Sequence, residues 1–590
     1  MKLSNRLTDI FYPLLIAVVI GALAGLGAVF FRWLIDLLIQ FFSNIDSFLS
    51  SGSVTISKIW WVVLPALAGL IAGPIITFWA PEVRGPGVPE VMEALALRGG
   101  QIRHRVTVIK TFITATLIAA GASVGREGPI VQIGASIGSS LSQLLKLDRE
   151  KQRMAVACGA AAGIAATFQA PMAGTLFAVE ILLFELEASF LSNIVIASVT
   201  GTLVARSCWG DAAIFHIPSF SMVHPGELVL YLGMGLIAGL LSLALMAVVF
   251  GLPRFIERLK IPAWLSPALG GLALGCLGLF FPEILGIGYQ TINEALFGNI
   301  TFAFAALMVA AKILATGISI GSGMSGGIFA PSLFIGAMLG TVFGNCAQII
   351  WPDTILSSSH YALIGMGAMV SGTTLAPITA IMTIFELTYN YEVILPLMVA
   401  CIPSLLIVKL LHGYSIYENK LLQKGINIVR GHDVNRLRSM QISDFMIRDL
   451  QTVQVDTPIC ETGAKMEEST FPHFIVLDLE GKLSGIITLR DLRILLSRSV
   501  QISTATRTAA LMTWDVVTVR DDEDMEKAFQ IFAANEFSFL PVVSQNDPYR
   551  VIGYLKKSDL IAAYDQHILK EDILEPLSWV CPLPIRDKKK

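Results

Sequence analysis

Charged residues are scarce over the first 425 positions of this 590-residue chain. Asp, Glu, Lys and Arg make up about 10% of residues 1–425 and about 27% of residues 426–590, against about 25% in an average soluble protein. Over the whole chain, 54% of residues are apolar and the mean hydropathy is +0.68. These values exclude a protein that is soluble throughout. We expect a membrane-embedded body followed by a water-soluble tail.

The chain also lacks a large net charge and a paired spacing of its cysteines. A net charge of −3 excludes a strongly basic nucleic-acid binder, so no nucleic-acid partner is expected. The seven cysteines have no CxxC spacing and most lie in apolar segments, which favours small buried side chains over a disulfide framework or a metal site. The first apolar stretch, residues 11–38, is too long for a signal-peptide core and is interpreted as a retained spanning helix.

Apolar segments recur from residue 12 to residue 411 and fall into two length classes. Those near or above the roughly 20 residues needed to cross the bilayer are 11–38, 59–80, 106–123, 227–251, 264–281, 303–320 and 391–411. Those of about 10–17 residues, too short to cross alone, are 129–145, 154–168, 171–186, 328–346, 361–373 and 376–388. Short helices broken by Gly and Pro in two corresponding halves point to a transport site.

One such correspondence is visible in the sequence. Gly-Arg-Glu-Gly-Pro at 125–129 opens a short apolar helix, and Gly-Ile-Phe-Ala-Pro at 327–331 opens another about 200 residues later. This spacing predicts two repeated halves, residues 10–210 and 225–420, with inverted topology.

Glu127 is the charged residue of greatest interest in the membrane part. Ionisable groups within a membrane are costly and are candidates for function. A helix N-terminus offers unpaired N–H groups and a positive dipole end, so it binds anions. A carboxylate tethered there competes with the anion, and its protonation or movement opens the site. Glu127 is therefore a candidate gate that responds to pH.

The tail contains two similar units, residues 442–496 and 508–563, each predicted as a short extended segment, a helix, a β-rich pair and a closing helix. A repeat of about 65 residues with this internal agreement indicates duplicated modules. The expected organisation is a transmembrane domain at 1–425, modules at 440–500 and 507–565, and a terminal segment at 566–590.

Several further motifs accompany those at 125–129 and 327–331. They are Gly-Pro-Gly-Val-Pro at 85–89, Gly-Ala-Ala-Ala-Gly at 159–163, Ala-Pro-Met-Ala-Gly at 170–174, and Ile-Tyr at 416–417. Together these motifs resemble the CLC family of chloride channels and anion/proton antiporters. The resemblance implies an all-α polytopic membrane fold with an inverted repeat and broken helices. The tail is similar to the cytoplasmic α/β CBS pair that many CLC proteins carry.

The resemblance also implies a function. It predicts a non-enzymatic homodimer in the cell (inner) membrane, with a cytoplasmic tail and a voltage- or pH-gated pathway for chloride or nitrate in each subunit. Glu127 would be the gate. The anion-binding residues would be Pro86, Gly87, Arg126, Glu127, Gly128, Ile328, Phe329 and Tyr417. Without the resemblance, Tyr417 also fits an interfacial aromatic anchor.

Two positions depart from the family pattern. Many members have a serine hydroxyl for the anion where this chain has Pro86, and proline at this position is associated with nitrate preference in plant vacuolar members. The internal proton-transferring glutamate of well-known antiporters aligns with Ile181, which favours uncoupled, channel-like conduction. Antiport by another proton route is the alternative, with Glu180, Glu185 or a water chain as candidate relay. Glu180 otherwise fits a helix–helix contact.

The CBS resemblance implies adenine-nucleotide binding (ATP, ADP or AMP), although no cofactor is required for transport. Thr488 and Asp491 would contact phosphate and ribose in the first unit, and Lys556 and Asp559 take their places in the second. Lys556 fits a phosphate contact or a solvated side chain equally well. The alternative for the whole pair is a structural support without ligand.

Two other functions match parts of the sequence. Gly-Met-Ser-Gly at 323–326, followed by His360, matches the pattern of rhomboid intramembrane serine proteases, with Ser325 as nucleophile. A cation transporter with CBS domains is the second rival, but the membrane segments contain few acidic residues.

Overall fold

The protein is described from a computed structural model. The described residues are 2–50, 54–183, 188–210, 215, 226–351, 359–424, 426, 440–469, 471, 473–497, 506–535, 537–545 and 547–559. The chain divides into two compact units, Met1–Ile428 and Val429–Lys590. The terminal segment 566–590 and the end of the second predicted closing helix lie outside the described residues.

In the described part of the first unit, helices joined by loops are the regular elements. Its helices are α1 (Lys2–Ser50), α2 (Val54–Pro74), α3 (Val88–Leu97), α4 (Arg105–Ala119), α5 (Glu127–Leu144), α6 (Arg149–Phe168), α7 (Pro171–Phe177), α8 (Ala188–Trp209), α9 (Glu227–Arg258), α10 (Ser266–Gly278), α11 (Tyr289–Leu296), α12 (Phe302–Gly321), α13 (Phe329–Ile350), α14 (Ser359–Thr374), α15 (Pro377–Thr388), α16 (Ile394–Leu411) and α17 (Ile416–Gln423). Short π turns extend α2 over Ile75–Trp79 and α7 over Ala178–Leu183.

Helix lengths agree with the sequence in most places and differ in four. Within the described chain, seven helices are long and apolar enough to cross a membrane, and they include Phe190–Trp209 and Phe329–Ile350. The first of these was not predicted, and the second was expected to be short. Conversely, α4 and α10 have only 15 and 13 residues, so the prediction of full spans at 106–123 and 264–281 was wrong. A turn with Gly121 at φ +101° follows α4, because glycine tolerates that backbone angle.

Two sets of eight helices repeat the same packing order. Helix α5 packs on α6 as α13 packs on α14, and α1 packs on α8 as α9 packs on α16. Helix α2 packs against α10, and α7 against α15, so equivalent helices of the two sets also meet each other. The two halves therefore share one packing plan and contact each other through equivalent helices.

Glycines allow the inner helices to approach closely. A Cβ on Gly134 would lie 2.1 Å from the Gly159 carbonyl oxygen, and a Cβ on Gly336 would lie 2.3 Å from that of Gly365. Both α5–α6 and α13–α14 therefore pack backbone against backbone, as small residues permit in membrane helices.

The second unit is an α/β pair. Its elements are α18 (Ile442–Phe445), β1 (Thr452–Gln454), α19 (Ile459–Glu468), β2 (His473–Leu477), β3 (Leu483–Thr488), α20 (Leu489–Ser497), β4 (Val519–Arg520), α21 (Met525–Ala534), β5 (Phe539–Ser544) and β6 (Asp547–Lys556). In each described sheet the first strand is parallel to the second, and the second is antiparallel to the third.

A segment that precedes each half of this unit pairs with the other half. Ile447 bridges Tyr554, and Thr513 bridges Ile486, so the chain before each half pairs with the last strand of the other. The α/β tail predicted from the sequence is confirmed, and the exchange explains why two copies are needed to bury one another's edges.

Candidate functional site

Three glycine-rich loops, far apart in the sequence, are joined by backbone hydrogen bonds. The Gly125 N–H donates to the Gly327 carbonyl at 2.8 Å, and the Gly327 N–H donates back to Gly125 at 2.7 Å. The Gly85 N–H donates to the Met324 carbonyl at 3.2 Å, and the Gly326 N–H donates to the Gly85 carbonyl at the same distance. The predicted anion motifs at 85–89, 125–129 and 327–331 therefore meet at one place between the two sets of helices, which we call the loop junction.

Only glycine fits at two points of this junction. Gly87 has φ +90°, a conformation that side chains with a Cβ rarely adopt. A Cβ on Gly128 would lie 2.2 Å from the Pro86 carbonyl oxygen. The loop containing buried Pro86 thus lies directly on the first turn of α5.

Two helices begin at the junction. Helix α5 starts at Glu127, and α13 starts at Phe329 with Ile328 immediately before it. Gly128, Ile328 and Phe329 are all buried. Because Gly125 and Gly327 are hydrogen-bonded, both N-termini lie side by side. Their first N–H groups and dipoles favour a negative charge at this point.

The Glu127 side chain occupies this region and is only 1% exposed. Its Oε1 accepts a hydrogen bond of 2.6 Å from the Tyr289 hydroxyl. Its Oε2 lies beside Gly125, because a Cβ built on that glycine would be 2.2 Å from Oε2 and 3.1 Å from the Ala330 nitrogen. The carboxylate therefore sits between the starts of α5 and α13, where their dipoles would hold an anion.

Arg126 faces a cavity next to the junction. The cavity has a volume of about 500 Å³ and is lined by Arg32, Arg126, Trp209 and Tyr289, among others. The Arg126 guanidinium lies 5.3 Å from the centre of the Tyr289 ring, and the Arg32 guanidinium lies 4.4 Å from that of Trp209. The lining thus carries two cations and one carboxylate, Asp36, whose Oδ2 lies 3.9 Å from Arg32 Nε. The net positive charge favours the approach of an anion.

Tyr417 approaches the junction from the last helix of the unit. It is 1% exposed and lies on α17, which starts with a capping box between Ser415 and Glu418. It interacts electrostatically with Glu127. This burial fits an interior role better than an interfacial aromatic anchor, whose ring would lie at the membrane surface.

Comparison with known proteins identifies the family. The profile described as "Voltage gated chloride channel" matches residues 68–409. The chain belongs to the CLC family. The CBS domain profile matches residues 442–498 and 509–566. The predicted membership in this family, with a C-terminal CBS pair and a polytopic helical membrane fold, is therefore confirmed.

The CLC relatives include channels and antiporters. The chain is 34% identical to a ClcB-like chloride channel protein of Ralstonia nicotianae, over 71% of this chain and 98% of the relative. It is 33% identical to the voltage-gated ClC-type chloride channel ClcB of Escherichia coli, over 70% and 99%.

Two solved structures are also similar. A slow cyanobacterial Cl⁻/H⁺ antiporter has 28% identity and a TM-score of 0.65, and the match covers 70% of this chain and 97% of the antiporter. A eukaryotic CLC transporter has 19% identity and a TM-score of 0.63, covering 94% and 98%, and this likeness shows the fold alone.

Two buried lysines support the CLC loops and were not singled out in the sequence. Lys110 Nζ donates to the Val83 and Gly85 carbonyls, both at 2.9 Å. In the other half, Lys312 Nζ donates to the Ile284 and Gly286 carbonyls at 2.8 and 3.0 Å. The signal was available, because each lysine lies 15 residues before a junction glycine, Gly125 or Gly327. A lysine in an apolar helix must find such partners.

Tyr289 was also missed. It begins α11, the helix equivalent to α3, and follows Gly-Ile-Gly at 286–288 much as Val88 follows Gly-Pro-Gly at 85–87. Sequence reasoning gave no role to this second Gly-x-Gly segment, because it lacks the prolines of the first. Its position relative to Glu127 depends on how the two halves pack.

The positions considered for proton transfer lie on the π turn after α7. Ile181 is buried at 3% exposure. The Glu180 carboxylate is directed to the start of α15, where it accepts hydrogen bonds from the Ile378 and Thr379 N–H groups at 3.3 and 2.7 Å. The Thr379 hydroxyl adds a third at 2.7 Å. Glu180 therefore makes the helix–helix contact that was the alternative to a relay.

The predicted CBS residues form two equivalent turns. Asp491 Oδ2 accepts from the Thr488 N–H at 2.8 Å and from its hydroxyl at 2.7 Å. Asp559 Oδ2 accepts from the Lys556 N–H at 3.1 Å. Lys556 Nζ lies 4.7 Å from the centre of the Phe471 ring. The structure thus brings together Thr488 with Asp491, and Lys556 with Asp559, as the repeat implied.

Ser325, the nucleophile of the rival protease interpretation, lies inside the loop junction. Its hydroxyl is fully buried and shares a hydrogen bond of 2.7 Å with Thr114. Its bonded partner is thus another hydroxyl, which cannot serve as the base that a serine nucleophile needs. The family match is to channels and transporters rather than to enzymes.

Proposed function

We propose that this protein transports chloride, or a related anion such as nitrate, across the cell (inner) membrane as a homodimer with one pathway in each subunit. The position of Glu127 is the observation that carries this proposal. Its carboxylate lies between two helix N-termini that are suited to an anion. When protonated or displaced, it vacates this position, so Glu127 is the gate and anion flux rises as the pH falls.

The anion site proposed here is built mainly from backbone. The contributing residues are Pro86, Gly87, Arg126, Gly128, Ile328, Phe329 and Tyr417, together with Glu127. The hydrogen bonds between the loops hold the backbone groups in fixed positions, so an anion does not have to order them when it binds. The family membership and the chloride-channel relatives support chloride as the first anion to test.

The decisive experiment is anion flux from liposomes that contain the purified protein. Wild type, Glu127→Ala and the exposed control Glu257→Ala are compared between pH 4.5 and 7.5. Wild type and Glu257→Ala should be activated by acid, and Glu127→Ala should conduct at every pH. Acid activation that persists unchanged in Glu127→Ala would rule Glu127 out as the gate.

Uncoupled, channel-like conduction is the favoured mechanism. Ile181 has no proton to exchange, and the carboxylate of the neighbouring Glu180 is directed to the backbone of α15. In reconstituted vesicles under a pH gradient, the reversal potential should follow the chloride gradient alone. A shift with the proton gradient would refute uncoupled conduction.

Proton-coupled antiport is the second candidate. It is supported by the likeness to the cyanobacterial Cl⁻/H⁺ antiporter. In that case Glu180 is the candidate relay, and Glu180→Gln should abolish proton movement while leaving chloride flux intact.

We further propose that the CBS pair is cytoplasmic and binds an adenine nucleotide that regulates transport. Thr488, Asp491, Lys556 and Asp559 are the proposed contacts, supported by the equivalent turns that they form. Calorimetry of the full-length protein with ATP, ADP and AMP should give heat that is reduced in Asp491→Ala and Asp559→Ala. Absence of heat for all three nucleotides would leave the pair as a structural support.

A further inference from the structure

Tyr289 makes the only side-chain hydrogen bond given to Glu127 within the described part of the chain. The hydroxyl donates to Oε1 at 2.6 Å, and the two residues are 162 positions apart. A hydrogen bond to an ionised acceptor is about twice as strong as one between neutral groups. The bond therefore favours the charged carboxylate in its present position.

The Tyr289 ring is fixed on both sides. The Phe215 ring packs edge-on against it, with the ring centres 5.4 Å apart and the planes at 81°. The Arg126 guanidinium lies over it at 5.3 Å from the ring centre. These contacts restrict the ring, so little side-chain freedom is lost when its hydroxyl binds Glu127.

The location of Tyr289 couples the gate to the cavity. Tyr289 lines the cavity of about 500 Å³ together with Arg32 and Arg126, whereas its hydroxyl reaches the carboxylate at the helix junction. It also lies at the first position of α11, directly after Gly288, whose φ of +87° turns the chain. The residue thus stands between the open cavity and the Glu127 side chain.

We propose that Tyr289 is a positioning residue that latches the ionised Glu127 carboxylate in its blocking position. This inference rests on the proposed gating role of Glu127. Loss of the hydroxyl removes a bond that only the blocked, ionised state makes, so the gate opens at a lower proton concentration. Tyr289 acts through Glu127 and is not itself an anion ligand.

Other charged and titratable groups act on the same carboxylate. Arg126 precedes it on the chain at the start of α5, and Tyr417 interacts with it from α17. Arg32, on α1, interacts with Arg126 and Tyr289. The first turn of α13 offers Phe329, Ala330 and Pro331, none of which titrates. All of these groups are retained when Tyr289 is replaced by phenylalanine.

The test is chloride efflux from liposomes as a function of pH for Tyr289→Phe. The substitution keeps the ring and both of its packing contacts. Tyr231→Phe is the matched control. Its hydroxyl also donates to a buried glutamate, Glu227, at 3.3 Å, and both residues lie on α9 rather than in the three glycine-rich loops. The midpoint of acid activation should move by about one pH unit towards alkaline pH in Tyr289→Phe, a tenfold change in the proton concentration required. It should stay at the wild-type value in Tyr231→Phe.

A second pair of variants separates this inference from the proposed gate. On a Glu127→Ala background, Tyr289→Phe should leave flux unchanged, because the group that it acts through is gone. A wild-type profile for Tyr289→Phe, or an equal effect of Tyr289→Phe with and without Glu127, would overturn the latch while leaving the gate intact. A wild-type profile for Glu127→Ala would overturn the gate, and the latch with it.

Discussion

Glu180 and Glu386 exchange helix caps between the two halves of the membrane unit. Glu180 accepts hydrogen bonds from the first N–H groups of α15, and Glu386 accepts from the Met172 and Ala173 N–H groups at the start of α7, at 3.0 and 2.7 Å. Glu180 lies as many residues after Met172 as Glu386 lies after Ile378. The two glutamates therefore occupy equivalent positions in the two halves, and each caps the start of the helical segment on which the other lies. Each carboxylate satisfies N–H groups that the opposite helix leaves unpaired.

This exchange predicts matched losses of stability. Glu180→Ala and Glu386→Ala should each destabilise the protein by about 0.5–2 kcal/mol, because the first amides of a helix lose their capping acceptor. Thermal unfolding in detergent, followed by tryptophan fluorescence, measures the effect. If Glu180 serves only as a cap, both variants should leave the reversal potential under a pH gradient unchanged. A change in Glu180→Ala alone would instead identify it as a proton relay.

The buried lysines predict a second matched pair. Lys110→Met should weaken anion flux, because the Val83 and Gly85 carbonyls lose their shared donor. The glycine-rich loop at 85–89 then loses the side chain that fixes its position. Each unsatisfied carbonyl costs about 1–3 kcal/mol. Lys312→Met removes the same support from the segment before Tyr289 and should alter the pH profile more than the anion affinity. Flux against chloride concentration, repeated at two pH values, distinguishes the two. Identical defects in both variants would point to general destabilisation.

Pro86 predicts a selectivity change. Serine at this position adds an N–H and a hydroxyl next to the junction, both suited to a compact anion, so Pro86→Ser should raise the chloride-to-nitrate flux ratio by up to about tenfold. Parallel efflux assays with the two anions measure the ratio. Pro262→Ser, at an exposed position before α10, is the control and should leave the ratio unchanged. Equal chloride and nitrate flux in the wild type would contradict a nitrate preference linked to Pro86.

His473 predicts a pH dependence in the CBS unit. Partial burial, together with the charge of Lys556, lowers the pKa of His473 below its ordinary value of 6.5. The unfolded chain therefore binds a proton more readily than the folded chain. His473 adds stability above about pH 6.5, and this stability is lost as the pH falls towards the lowered pKa. Hydrogen exchange of β2 should quicken between pH 6.5 and 5 in the wild type.

The matched variant for this prediction is His473→Phe, which keeps a ring against Phe539, 4.3 Å away between ring centres. Its hydrogen exchange in β2, corrected for the intrinsic effect of pH, should change less over the same range. An equal acceleration in wild type and variant would assign the pH response to another group.

Much of the fold could be predicted from local sequence patterns. The drop in charge density marks the membrane unit because ionised groups are costly in lipid, and the two Gly-rich helix starts mark the repeat. Helix lengths were less predictable. Apolar composition alone does not distinguish a spanning helix such as α13 from a shorter one such as α4, since both are buried in protein over much of their length.

The candidate site also has features that follow from local sequence and features that depend on tertiary packing. The sequence by itself determined the loops at 85–89, 125–129 and 327–331, because glycine and proline act through backbone angles that are local properties. It also determined that Glu127 begins a helix. Only the tertiary structure decided which side chains meet there. Tyr289 contacts Glu127, Lys110 holds Gly85 and Glu180 caps α15, because the packing of two repeats brings together atoms that no local spacing relates.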